Sequence, residues 1–287
     1  MNGPAPRPVL APILDGDALE VAQFLHRELN TRIAPERWMA ILRPRWASGP
    51  NHGFLLRADG EIVGVYAAVY STREREDRRW EVCNLAAFCV VETHRAHSLR
   101  LVRALLAQKE FVFTDLSPSG NVPAMNDRLG FIRLEGATRL ALNLPSWRRG
   151  ADLVESLDEI AGILRGADAA IFADHRDAPA ARHLVVRDHD RYAYLVYRRD
   201  RRKRLPLFAT PLHVGGDPGL LADNWASVAS RLLRHGHVVT LAEERVLGFA
   251  PGGVGTVLRS PRPRMFKGAV DQREIDYLYS ELTQLEW

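Results

Sequence analysis

Cysteine is nearly missing from this 287-residue chain, which has only Cys83 and Cys89. Both fall in one apolar segment at even spacing, so on a strand they share a face but stand too far apart to bond. A disulfide framework is excluded, no Cys/His cluster has zinc-site spacing, and no metal is expected. Two free thiols fit a reducing, cytoplasmic setting. Long apolar runs are missing too: none approaches the roughly 18 residues of a membrane helix. The opening Met-Asn-Gly-Pro-Ala-Pro-Arg-Pro lacks the apolar core of a signal peptide. Neither charge sign dominates, with 39 Lys and Arg against 35 Asp and Glu, a net charge of +4. The densest basic run, Arg198 to Arg204, has no interleaved aromatics and sits between two alternating segments. It reads as a solvated hairpin tip; the sharper reading is a contact for nucleic acid or an acidic carrier protein, and no nucleic-acid motif accompanies it.

What remains is a globular composition, 46% hydrophobic and 26% charged, in a chain long enough for two domains. Amphipathic helices are expected from Asp17 to about Leu29 and after Ala34-Pro35, where proline suits a first helical turn. Phe54 to Arg57 and Ile62 to Tyr70, joined by Asp59-Gly60, predict a hairpin. A long strand from Trp80 to Val91 leads through a polar turn into a helix. A buried strand, Phe111 to Leu116, follows, and then a short helix from Val122 to Leu129, ended by Gly130. Phe131 to Leu134 and Thr138 to Leu144 read as a closing hairpin, and Pro145 to Gly150 as a linker. Beyond it come a helix from Leu153 to Leu164, strands at 183–187, 192–199 and 207–214, a turn at Gly215 to Gly219, a helix to Leu233 and a strand at 238–241. This repeats the element order of the first half, without repeated residues. A helix from Asp271 to Glu281 is expected in the tail, with Tyr277 and Tyr279 in its core or offering one hydroxyl to a site.

The most informative stretch is Phe88 to Gln108. An apolar strand ends at Val91, a small polar turn follows, and an apolar helix begins near Ser98. Such a helix start offers backbone N–H groups and partial positive charge to an anion, here read as a diphosphate. In this order Arg95-Ala-His-Ser-Leu-Arg100 resembles the pyrophosphate motif Arg/Gln-x-x-Gly-x-Gly/Ala of the GCN5-related N-acetyltransferase (GNAT) superfamily. Asn121 with Ala124, followed by Gly130-Phe131, resembles the same family's later signature. The resemblance covers residues 10 to 144 by motif and order, and the second half by order alone. It implies an α/β mixed-sheet fold of two GNAT-like modules, residues 1–144 and 151–287 around the 145–150 linker.

The resemblance further implies acyl transfer from acetyl-CoA or another acyl-CoA to a small-molecule or peptide amine, directly within a ternary complex. Cys89, Val90 and Val91 would hold the pantetheine arm through their backbone, and Arg95, Ala96, His97, Ser98, Leu99 and Arg100 the diphosphate, with Asn121 nearby. Ser98 and Arg100 replace the motif's glycines; a hydroxyl and a guanidinium can themselves bind phosphate. Asn126 stands where many members carry a tyrosine that protonates the leaving thiolate. Catalytic candidates are Glu81 and Asn84 on the acceptor-facing strand, and Ser117 at a strand end. Glu81 is read either as a base or as a surface glutamate beside Arg78 and Arg79. His94 and His97 are read as solvent-exposed loop histidines, or else as a base or a phosphate donor. The alternative is a degenerate, non-catalytic module that binds acyl-CoA or a protein partner. A homodimer is compatible with either.

Overall fold

The computed structural model describes residues 7–46, 49–75, 78–147, 150–202 and 205–286. In chain order the first half runs β1 (Val9–Pro12), α1 (Ala18–Glu28), α2 (Pro35–Leu42), β2 (Gly53–Ala58), β3 (Glu61–Arg75), β4 (Arg78–Val90), α3 (Ser98–Leu106), β5 (Phe111–Asp115), α4 (Val122–Arg128), β6 (Ile132–Arg133) and β7 (Thr138–Leu142). The second half runs β8 (Asp152–Val154), α5 (Leu157–Ile163), α6 (Gly166–His175), β9 (Arg182–Asp188), β10 (Arg191–Arg202), β11 (Leu205–Gly216), α7 (Pro218–Asp223), α8 (Trp225–Arg234), β12 (Val239–Glu243), α9 (Glu244–Leu247), β13 (Gly255–Val257) and β14 (Met265–Lys267). A four-residue helix, α10 (Glu281–Gln284), ends the chain.

Two compact units result. Within the described residues the first is the chain up to Leu134 with Pro263–Val270 and Tyr279–Leu285; the second is Glu135–Arg262 with Asp271–Leu278 and Glu286. The first unit is built on a seven-stranded sheet of order β1-β2-β3-β4-β5-β14-β6. Its local geometry follows from sequence. Asp59 and Gly60 both take positive φ, 50° and 86°, the left-handed pair that a two-residue hairpin needs. The face under α3 is dry, with Leu101, Val102 and Leu105 packed on Tyr66, Cys83, Leu85 and Phe113. Each such side chain contributes about 1.5–3 kcal/mol by leaving water.

Two irregularities shape the middle of this sheet. The β3–β4 register pairs Ala67 with Ala87 and Ala68 with Leu85, so Ala86 is an extra residue, a β-bulge. The parallel β4–β5 ladder runs only from Glu81↔Phe111 to Asn84↔Thr114. Beyond it β4 continues to Val90 against β3 alone. Among the described residues no strand pairs with the outer edge of Leu85 to Val90. The two strands part at Asn84 and Thr114.

The second unit repeats this plan on a sheet of order β8-β9-β10-β11-β12-β7-β13. Position by position it matches the first sheet. The bulge recurs as well: Val196 pairs with His213 and Tyr197 with Pro211, leaving Leu212 extra. β11 and β12 are parallel through Phe208↔Val239 and Ala209↔Thr240, and α7 and α8 pack Leu220, Leu221, Val228 and Leu232 on Leu195 and Ala209.

Sequence reading misplaced several elements. Thr138–Leu142 forms no hairpin with Ile132–Arg133; it pairs antiparallel with β12 in the second sheet, while β14 stands between β5 and β6 in the first. The two halves thus exchange their last strands. Both strands are short and apolar on one side, and local pattern carries no information about which sheet completes them. The expected helix from Leu153 is β8 followed by α5, which Ser156 caps through its side chain, and α6 was not anticipated. Gly215 and Gly216 extend β11 instead of forming a turn. The tail helix from Asp271 is a single 3-10 turn, Gln272–Glu274, closed by a capping box. Arg198 is 2% exposed, so the basic run is not wholly solvated. Residues 203 and 204 of that run, and 148 and 149 of the expected linker, lie outside the described residues.

Candidate active site

Polar side chains converge where β4 and β5 part in the first unit. Asn84, on β4, is 1% exposed. Its Oδ1 accepts from Thr114 Oγ1 at 3.0 Å, and its Nδ2 donates to Glu281 Oε2 at 2.5 Å. Ser117, two residues past the end of β5, donates from Oγ to Glu281 Oε1 at 2.5 Å. Both oxygens of this fully buried carboxylate therefore accept hydrogen bonds. Glu281 reaches the site from the far end of the sequence because the tail before it is clamped. Tyr279, at a left-handed φ of 53°, packs edge-on against Trp46 at 5.0 Å and lies under the Arg73 guanidinium at 4.1 Å. Ser280 then caps α10 through Leu282 N.

A second carboxyl group stands beside the first. Asp115 ends β5, is 4% exposed, and accepts from Asn126 Nδ2 of α4 at 2.8 Å. Burial pushes its carboxyl up to about 7, and the charge of Glu281 adds to that; the Asn126 bond and the Ser117 backbone N–H pull the other way. Successive strand residues face opposite sides. Asn84, held by Thr114, thus meets Glu281 on one face, while Asp115 meets α4 on the other. Burial also holds the Tyr66 hydroxyl well above its ordinary value.

The expected cofactor-binding residues surround the open edge of β4. Cys89, Val90 and Val91 are half-buried along it, and burial pushes the Cys89 thiol up to about 11. Glu92–His97 is a 3-10 turn leading into α3, whose cap position, His97, makes no side-chain cap bond. Arg95 is exposed and 3.4 Å from Glu92. Ala96 and Leu99 are exposed, and Ser98 is half-buried. Arg100 is turned to the Pro8 carbonyl, 2.6 Å from Nη1. Asn121 is the cap residue of α4, without a side-chain cap bond. His94 is bonded to Thr93 at 2.9 Å, and its ring lies 6.4 Å from that of His97.

Of the three expected catalytic residues, Asn84 and Ser117 come together. Glu81 begins the β4–β5 ladder, three residues from its end, and accepts both its bonds from Thr72 Oγ1, at 2.9 and 3.1 Å. Sequence reasoning missed Asp115 and Glu281. Asp115 carried one signal, a carboxylate closing the apolar run Phe-Val-Phe-Thr. Glu281 carried none, because it meets Asn84 across 197 positions. The Tyr277 hydroxyl is committed to Glu243 in the second unit.

The second unit differs at the matching places. Asp217 caps α7 with its own carboxylate, accepting from Gly219 N at 2.9 Å and Leu220 N at 3.1 Å, and it pairs with Arg191. An anion is already built in at that helix start. The opposite face carries Asp168, which accepts from Tyr192 at 2.9 Å and lies 3.7 Å from His213. Among the described residues no group of three or more metal-ligating side chains forms a metal site, and no helix is long and apolar enough to cross a membrane.

No family model matches the chain, and no curated protein matches it in sequence. Solved structures do. A GCN5-related N-acetyltransferase from Anabaena variabilis aligns at TM-score 0.59 and 12% identity, over 91% of this chain and 72% of that one. One from Kribbella flavida aligns at 0.51 and 14%, over 90% and 70%. The N-myristoyltransferase of Saccharomyces cerevisiae, solved with bound myristoyl-CoA, aligns at 0.51 and 9%, over 97% and 86%. At these identities the likeness is one of fold, and with two sheets of matching strand order it accounts for both halves: the chain has the acyl-CoA N-acyltransferase fold of the GNAT superfamily, built twice in one polypeptide.

Proposed function

We propose that this protein is an acyltransferase that moves an acetyl or longer acyl group from CoA to an amine, using the first module. The observation that carries this is the parting of β4 and β5, with an open backbone edge on one strand and a buried polar cluster at its apex. The outer backbone groups of Leu85 to Val90 suit an extended pantetheine arm, which carries amide groups of its own. The turn from Arg95 to Arg100 and the uncapped start of α3 suit a diphosphate. The start of α7 is filled by Asp217, which argues for the first module over the second.

In this reading Glu281 is the proton acceptor for the attacking amine, and Asn84 and Ser117 hold its two oxygens. Most of the rate comes from positioning amine and thioester together. The competing reading, a module that binds acyl-CoA without turnover, draws on the commitment of Arg100 to Pro8 and on the complete burial of Glu281. The test is a thermal melt with CoA, acetyl-CoA and longer acyl-CoAs. Acyl-CoA at a hundredfold excess over its Kd stabilises the native state by about 2.7 kcal/mol. A rise that is lost in Arg95→Ala combined with Ser98→Asp supports binding at this turn. No rise with any of the CoA compounds removes both readings.

A further inference from the structure

Amine attack on a thioester releases a thiolate, the conjugate base of a thiol with a pKa near 8.5, like that of cysteine. In the acyl-CoA reading a donor of this proton stands near the point where β4 and β5 part. The Thr114 hydroxyl near that point is spent on Asn84, and burial pushes the Cys83 thiol well above its ordinary value; four other side chains there carry an exchangeable proton. The Ser117 hydroxyl is spent on Glu281. Burial raises the Tyr66 hydroxyl well above its ordinary value and the Cys89 thiol to about 11, so both hold their protons too tightly. Asp115 remains.

We propose that Asp115 is a catalytic residue, the general acid that protonates the departing thiolate, and that Asn126 is the positioning residue that aims it. This rests on the acyl-CoA reading above. Asp115 stands one residue beyond the last β4–β5 rung, on the face opposite Glu281. Asn126 donates to Oδ2 and the Ser117 backbone N–H bonds the same carboxyl group, which together fix its orientation at the end of β5. Around it the charged and titratable groups are Glu281 from α10, Tyr66 from β3, Cys83 from β4, Arg264 just before β14 and Lys267 at its end. Arg264 is directed to the Leu116 carbonyl at 3.5 Å and Lys267 to the Leu129 carbonyl at 2.8 Å. A carboxyl at about 7 is available in its protonated form near neutral pH and is matched to a thiolate.

The step balances. The neutral amine forms the N–C bond and passes one proton to Glu281. The C–S bond breaks with its electron pair on sulfur, which takes the proton from Asp115. One proton then returns through water from Glu281 to Asp115. Ser117 touches both carboxyl groups, by Oγ and by backbone N–H, and marks the route.

The experiment compares wild type and Asp115→Asn on two acyl donors, with hydroxylamine as acceptor. Acetyl-CoA has an ordinary alkyl thiol; S-(4-nitrophenyl) thioacetate has an acidic thiol that leaves without help. With acetyl-CoA, kcat of Asp115→Asn is expected to fall about a hundredfold or more at unchanged KM, the ordinary size of a general-acid effect. With the aryl thioester the two proteins are expected to be equal. Asn126→Ala is expected to show the same donor dependence with a smaller loss, and it carries the test if Asp115→Asn does not fold. An equal loss on both donors, or none on acetyl-CoA, overturns the proposal and leaves the acyltransferase reading standing. A wild type that turns over neither donor overturns both.

Discussion

Replacing Asp115 by Asn should change how the stability of the protein depends on pH, and the direction follows from the site. The native carboxyl lies at about 7, against an ordinary 3.8. Between these values the native state binds a proton that the unfolded chain has released, so stability falls as pH rises through this window. At 1.36 kcal/mol per pH unit, the native state above pH 7 carries a penalty of up to about 4 kcal/mol for this buried carboxylate. Asparagine has the same shape, keeps an oxygen for the Asn126 amide, and cannot ionise. Urea unfolding of both proteins at pH 5, 6, 7 and 8 isolates the effect, since every other titrating group is common to the pair. The variant's advantage should grow by about 1.4 kcal/mol per pH unit from pH 5 towards pH 7 and level off between pH 7 and pH 8. Parallel curves, or a gain that shrinks as pH rises, would refute the protonated, buried carboxyl and the acid role built on it.

Two further outcomes test other parts of the fold. Asn84→Ala removes the bonds to Thr114 and Glu281, and leaving those buried groups without it should cost about 1–3 kcal/mol, read from the same urea curves. His183 is held neutral, with burial lowering it to about 4. Its unfolded form takes up a proton near 6.5, so the wild type should lose stability as pH falls from 6.5 towards 4, and His183→Gln should lose less across that window.

How much of this was legible can be read from individual residues. Strands β2 to β5 and helices α1 to α4 follow from alternation, helical periodicity, Asp59-Gly60, Pro35 and Gly130, all of them local signals. Asn84 was singled out by its place on the strand that the GNAT resemblance makes acceptor-facing, and Ser117 by its place just past a strand end. Thr138–Leu142 was read correctly as a strand and placed in the wrong sheet, because pairing partners 97 to 105 positions away leave no mark on a five-residue segment. Glu281 escaped for the same reason. Asn126 could be recognised as unable to donate a proton to sulfur, yet its service to Asp115 appears only once α4 lies over the end of β5.

The exchange of strands between the two sheets bears on how the protein is made. β6 has one neighbour in its sheet, β14, and β14 is translated some 130 residues later. At about 5–20 residues per second, the nascent first sheet waits on the order of ten seconds with a gap between β5 and β6. Its exposed edges are open to wrong partners throughout that interval. Glu281 arrives later still, 14 residues after the end of β14. The carboxylate that completes the apex of the first sheet therefore leaves the ribosome only after every strand of that sheet, and a nascent chain that stops short of it lacks the full polar cluster.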